Sequence, residues 1–473
     1  MRARHLQLLA GITLAGALLR FLTLDVQSYW LDEVATVNVL HHGFGDMISA
    51  VSSGESTPPL YYVIAWLWSK LFGTGEVGLR SLSALFGTLT IPLAFVLGRE
   101  TAGRVAGLVA AALCAFNPLL VWYSQEARSY ALLVLLTGLG LLAFLRVLDD
   151  PSPRRIAAWT AAAVAAIATH YFAGFLVGAE TVWLLYRSPA RARIAAGAAV
   201  VVVASASLLP LALHQRSTGA ARFISESSLA RRVAQIPKQF VAGYQGPAET
   251  PLTILALLLV AYGTFLLLRA RPPRPLLLGG LGIAAILAPV VLALIGPDYL
   301  ISRNVLPSLL PLLVALAAGF ATARAGIAAA AALCTLGLIQ VIGVDTNDRY
   351  QRDDWRGVGA FIGRADEPRA VIVTPASGAV PMLYYLQGGT TTPAAGVDVK
   401  GLAFVGLAQR LPGEAAKPPR PPTVGAAGFT ETRRKEADTY TVVIEKSPTG
   451  THITPTVGAS SLDGRPAITL YQP

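Results

Sequence analysis

The stretch SYWLDEVATV, Ser28 to Val37, directly follows the apolar run 6–24 and carries two adjacent carboxylates, Asp32 and Glu33. Side chains of this type can take a proton from a hydroxyl, help hold a divalent cation, or organise a helix start. The helix reading is concrete: Asp32 precedes EVATVNVL and would make a good N-cap, with Glu33 favoured in the first turn. Adjacent helical residues point about 100° apart, so the two carboxylates are not expected to share one task. A second group is cationic. Arg80, Arg128 in YSQEARSY and Arg303 in ISRNVLP stand at the mouths of apolar segments, and Arg20 lies near the end of the first. A guanidinium fork matches phosphate oxygens two at a time, so several arginines at one membrane depth could hold a lipid phosphate. The alternative is a snorkelling interfacial arginine, with Arg128 paired to Glu126. Gln125, Glu126 and Tyr130 around Arg128, His170 and Tyr171 in THYF, and Tyr61 in PPLYY are candidate substrate contacts. For the aromatic ones, with Tyr62, Trp66 and Trp68, anchoring at the membrane interface is the competing role. No HExxH and no His/Cys cluster occurs, so a metal site would have to rest on Asp32 and Glu33, and no other cofactor is implied.

These groups sit in a chain of 473 residues that is 54% hydrophobic and 14% charged, with mean hydropathy +0.55. Soluble domains carry roughly a quarter charged residues, so this composition is that of a membrane protein. The run 6–24 exceeds a secretory h-region and many further spans follow, which makes it the first transmembrane helix. Cys114 and Cys334 lie inside apolar runs as packing residues. The net charge of +11 fits orientation in the bilayer and contact with anionic lipid, and no motif points to nucleic acid.

Apolar segments of spanning length occur at 6–24, 79–98, 104–122, 130–148, 155–173, 172–187, 194–213, 251–268, 275–295, 304–323 and 326–344, eleven in all. PPLYYVIAWLWSKLFG, Pro58 to Gly73, is short, opens on two prolines and is rich in Tyr and Trp, so it is expected to lie along the interface. With that assignment Arg2/Arg4, Arg99/Arg104, Arg154/Arg155, Arg187/Arg191/Arg193, Arg269/Arg271/Arg274 and Arg324 fall on one side, the cytoplasmic one. The opposite face then collects YWLDE, ESTPPLYY, WYSQEARSY, THYF and PDYLISRN. The loop 214–250 falls there too, although it carries Arg216, Arg222, Arg231, Arg232 and Lys238, and is a candidate for meeting something anionic.

After 344 the pattern changes. DDWRGVGAFIGR reads as a short amphipathic helix, RAVIVTP, TYTVVIEK and AITLYQP read as strands, and a further helix is expected at 380–386. Residues 412–427 read as a loose Pro/Gly/Ala-rich loop. The expected organisation is a transmembrane domain, 1–344, and a small extracytoplasmic α/β domain, 345–473, placed outside by the odd span count.

The Asp-Glu pair after the first span, PPLYY, LRSLSALFG and NPLLVWYSQEARSYAL together resemble the GT-C superfamily, within it the branch of protein O-mannosyltransferases and lipid A aminoarabinose transferases. THYF, YLISRNVLPSLLPLL and DDWRGVGAFI follow that branch's less strict later pattern. Bacterial members often read His-Pro-Pro before the tyrosines, where this chain has Thr57. The resemblance implies a polytopic α-helical enzyme with interfacial helices in its first outer loop. It implies inverting transfer of a sugar, mannose or another pentose or hexose, from a polyprenyl-phosphate donor to a protein, lipid or glycan acceptor at the outer face of the plasma (inner) membrane. It also implies that the acid at the Asp32 position is the base and that arginines matching Arg80 and Arg128 belong to the active site. The residue inventory agrees with that chemistry. A phosphate leaving group needs no general acid, unlike the leaving group in glycosidases. One base and an arginine cluster then suffice, with Glu33 orienting Asp32, capping the helix or helping to hold a divalent cation. Two other classes compete: a lipid or glycan transporter, which favours inverted repeats and midplane charges, and a receptor acting through its soluble domain, which leaves the acid and arginine clusters unexplained.

Overall fold

The computed structural model describes residues 2–219, 223–224, 227–408, 428–455 and 466–473; Arg222 and the expected loop 412–427 lie outside them. The described chain divides into two compact units, Met1–Leu24 with Asn38–Ile342, and Asp25–Val37 with Gly343–Pro473.

The first unit is helical, and the chain is a multi-pass membrane protein. Seven described helices are long and apolar enough to cross a bilayer: Glu76–Ala102, Tyr130–Asp149, Arg191–Ser217, Glu249–Ala270, Pro273–Ile295, Ser302–Phe320 and Arg324–Thr346. The expected span 104–122 is broken into Arg104–Phe116 and Pro118–Ser124, bent by 59°, and counts as an eighth if taken whole. The cause is local. Pro118 has no N–H to give and pushes the preceding residue out of the helical region, and Asn117 accordingly adopts an extended backbone. Its side chain accepts from Leu120 N at 3.0 Å and donates to Phe240 O at 2.7 Å, capping one piece and tying it to the helix Leu229–Ala242. The three remaining expected spans correspond to the helices Arg2–Phe21, Pro153–Thr169 and Ala173–Arg187, which are shorter or less apolar than those seven. The 58–73 segment forms Leu60–Phe72, an apolar helix of 13 residues. That is about 20 Å at 1.5 Å per residue, too short for the roughly 30 Å hydrocarbon core.

The second unit is built on a six-stranded sheet of β1 (Arg369–Thr374), β2 (Thr390–Thr391), β3 (Val397–Leu407), β4 (Thr430–Glu436), β5 (Tyr440–Ile453) and β6 (Ile468–Gln472), ordered β2-β6-β1-β3-β5-β4. Among the described strands β1 and β3 run parallel, and the other pairs are antiparallel. The helices Trp355–Ile362 and Ala379–Tyr385 pack Trp355, Val358, Ile362 and Met382 against Val371, Val373, Val405 and Val442 of the sheet. β1 is buried throughout, whereas every residue of TETRRKE in β4 is exposed. A charged edge strand of this kind discourages pairing with another chain.

Candidate functional site

Arg128 lies just before the helix Tyr130–Asp149 with only 4% of its surface exposed. Its Nη1 donates to both oxygens of Glu55, at 2.8 Å each. Arg128 thus forms an ion pair across 73 positions of sequence, and its backbone N–H donates to the Glu126 carbonyl at 2.7 Å. The Arg128 guanidinium carbon also stands 6.0 Å from the centroid of the Tyr62 ring. The Tyr62 hydroxyl bonds Thr57 Oγ1 at 3.0 Å, and Tyr61 meets the Tyr62 ring edge-on. Thr57 thus belongs to the network that surrounds Arg128.

His170 occupies the turn between Pro153–Thr169 and Ala173–Arg187 and is 2% exposed. Burial, reinforced by the positive charges of Arg128 and Arg303, pushes its imidazole down to about 3, so it is neutral at physiological pH. Its ring centroid lies 5.7 Å from that of Tyr130, and Tyr130 is 4.6 Å from Tyr123, whose hydroxyl bonds that of Tyr244. Arg303 is half-buried and sits over the Phe223 ring at 5.4 Å. The structure thus brings Arg128, Arg303, Tyr130 and His170 into one neighbourhood, and adds Glu55, Tyr123 and Tyr244, for which the sequence suggested no role. The only sequence signal for Glu55 was an isolated acid ahead of two prolines.

Other candidates are engaged differently. Arg80, 1% exposed, donates to Leu24 O at 2.7 Å. Gln125 donates to Leu19 O at 2.9 Å and Thr23 Oγ1 at 2.6 Å, fastening the end of the first helix. Tyr171 donates to Gln215 Oε1 at 2.8 Å, while Gln215 Nε2 donates to Val51 O and Thr57 O. Arg20, fully buried, donates to Ser124 Oγ and to the carbonyls of Gly16, Ala115 and Cys114, which makes it a helix clamp. Within the basic loop 214–250, Arg232 is paired bidentately with Asp298, holding that carboxyl below its usual range, and Lys238 is paired with Glu249 at 2.8 Å.

In the second unit, Trp30 O accepts from Val34 N at 3.0 Å, so the helix Leu31–Leu40 is capped at Trp30 and not at Asp32. Glu33 Oε2 reaches back to Trp30 N at 3.4 Å, the carboxylate half of a capping box. Glu33 is buried and Asp32 half-exposed. Among the described residues no group of three or more His, Cys, Asp or Glu side chains is placed to hold a metal ion.

Comparison with solved structures gives ArnT from Cupriavidus metallidurans in the apo state (18% identity, TM-score 0.47) and bound to undecaprenyl phosphate (19%, 0.47), each covering 67% of this chain and 60% of that one. The Archaeoglobus fulgidus oligosaccharyltransferase in its apo form matches at 12% identity and TM-score 0.43, covering 76% of this chain and 58% of its own. This chain thus spans 60% or less of the length of these structures. No curated protein matches significantly. Residues 56–214 match the family model of dolichyl-phosphate-mannose-protein mannosyltransferases. Over the stretch that holds Arg80, Arg128, His170 and Tyr171, this chain is therefore similar to that glycosyltransferase family, in keeping with the GT-C resemblance of its motifs.

Proposed function

We propose that the protein is an inverting glycosyltransferase that moves a sugar from a polyprenyl-phosphate donor to an acceptor hydroxyl at the outer face of the plasma (inner) membrane, with its second unit extracytoplasmic. The observation that carries this reading is the buried Arg128 guanidinium inside the family-matched stretch, held 2.8 Å from the Glu55 carboxylate. Positive charge held in a poorly hydrated site is suited to a phosphate whose negative charge grows as its bond to the sugar breaks. Asp32 takes the proton from the acceptor hydroxyl, the acceptor oxygen attacks the anomeric carbon, and the electron pair of the breaking bond leaves with the phosphate. Arg80, Arg128 and Arg303 bind that phosphate, and Glu55 holds Arg128 in place. Tyr61, Gln125, Glu126, Tyr130, His170 and Tyr171 form the substrate surroundings, and Glu33 fixes the helix start beside Asp32. The acceptor is a protein, lipid or glycan hydroxyl, and anionic membrane lipids meet the basic loops. If a divalent cation takes part, Asp32 and Glu33 are its ligands.

The test is transfer by the purified chain in lipid nanodiscs, across a panel of polyprenyl-phospho-sugars and acceptors. Asp32→Asn should lower kcat by about 10²–10⁴-fold, the range of general base catalysis, with donor binding retained. Wild-type protein that binds donor and transfers nothing across the panel would overturn the reading. So would full activity in Asp32→Asn.

A further inference from the structure

The segment Asp25–Val37 is far from residues 343–473 in sequence but belongs to the same compact unit. Several hydrogen bonds join them through residues 25–29. Ser28 Oγ donates to Asp353 O at 2.8 Å and accepts from Trp355 N at 3.0 Å. Gln27 Oε1 accepts from Arg352 N at 2.9 Å. Arg356 Nη2 donates to Asp25 O at 2.6 Å and Val26 O at 3.1 Å. The Tyr29 backbone N–H donates to the Tyr385 hydroxyl at 2.7 Å, and the Tyr29 ring packs edge-on to Tyr384 with centroids 5.8 Å apart. Gln27, Ser28 and Tyr29 are all buried. Two residues beyond Tyr29, the capped helix that bears Asp32 begins.

This pattern accounts for DDWRGVGAFI. Asp354 caps the helix Trp355–Ile362 by accepting from Gly357 N at 2.9 Å, and the first turn of that helix presents the Trp355 N–H and the Arg356 side chain to residues 25–28. Buried backbone groups must find partners. A loop without secondary structure before the helix Leu31–Leu40 has few of its own, and here another part of the chain supplies them.

We infer that Tyr385, Arg356 and the Asp353–Trp355 turn are positioning residues for Asp32: the C-terminal sheet unit is the platform that sets the start of the Asp32 helix. This rests on the assignment of Asp32 as base. The platform touches no reacting atom; it fixes where the carboxylate stands, and misplacing a catalytic group lowers the chemical rate more than it lowers affinity.

The test uses the full chain in nanodiscs, with Arg356→Ala and Tyr385→Phe separately and combined, and Arg434→Ala as control. Arg434 is paired with Glu431 and Glu436 at the far edge of the sheet. Hydrogen–deuterium exchange of residues 25–37 should be about tenfold faster in the double variant, the order expected for lost buried hydrogen bonds. It should be unchanged in the control. This readout does not need activity, so it stands or falls apart from the proposed reaction. Unchanged exchange in the double variant overturns the platform. Where transfer is measurable, Tyr385→Phe should lower kcat with donor KM within twofold. A proportional loss of soluble yield and a raised KM with unchanged kcat would instead show a merely structural role. Arg356→Lys should restore most of the rate, because one donor still reaches the two carbonyls.

Discussion

Arg20 and Arg128 are both buried arginines in the same helical unit, yet their surroundings differ in kind. Arg20 is satisfied by a hydroxyl and three backbone carbonyls, groups that belong to the helices it joins. Arg128 is held by the Glu55 carboxylate and shares its field with His170 and the Tyr62 ring. Carbonyls are fixed in place and neutral, so a guanidinium among them acts as a clamp. A carboxylate beside an aromatic and an imidazole leaves the cation in a region where a further anion changes the balance of charge. Burial alone therefore does not tell these two arginines apart; the identity of their partners does.

Three changes test that contrast, beginning with the largest effect. Arg128→Ala leaves Glu55 buried without its cation, a cost of about 3–5 kcal/mol. It should lower the melting temperature and abolish donor binding together. Arg128→Lys should recover stability in part but not transfer, because a point charge does not replace the planar fork. Full donor affinity in Arg128→Ala would erase the distinction drawn here.

Arg20→Met removes the donors to Ala115 O and Cys114 O and should cost about 2–3 kcal/mol, the desolvation penalty of buried unsatisfied carbonyls. In thermal unfolding this appears as a lower melting temperature, with donor KM within twofold of wild type. Loss of donor binding at an unchanged melting temperature would move Arg20 into the phosphate-binding group.

His170 gives the smallest effect and reports on its burial together with the field of Arg128 and Arg303. Its folded value of about 3 lies below the ordinary 6.5, so the unfolded chain takes up a proton that the folded one refuses. The contribution is fully present above pH 6.5 and is lost as pH falls toward 3, about 2 kcal/mol by pH 5. His170→Gln should flatten the melting-temperature profile between pH 6.5 and 5 relative to wild type. An unchanged profile would mean that burial and the two arginines together do not hold this imidazole neutral.

Much of the architecture was legible in the sequence, because bilayer solvation imposes long apolar runs that survive folding unaltered. Among the described residues, eight of the eleven expected segments match helices long and apolar enough to cross a bilayer when the bent pair counts as one. The bend at Asn117–Pro118 was written in the proline but masked by the apolar run around it. In the second unit β1, β5 and β6 follow their Val/Ile/Tyr-rich stretches. β4, TETRRKE, has no apolar alternation at all and is a strand only because β5 offers it hydrogen bonds.

The sequence by itself determined which residues are chemically able, Asp32, Glu33, Arg80, Arg128, Arg303 and His170, because residue type and membrane-edge position are local properties. It could not name Glu55 as a partner of Arg128, assign the helix cap to Glu33, or join residues 25–29 to Arg352–Arg356 and Tyr385. Those are pairings between groups far apart along the chain, or between rival neighbours. Only the packed structure decides them, since a buried charge or backbone amide takes whichever partner the fold carries to within hydrogen-bond distance.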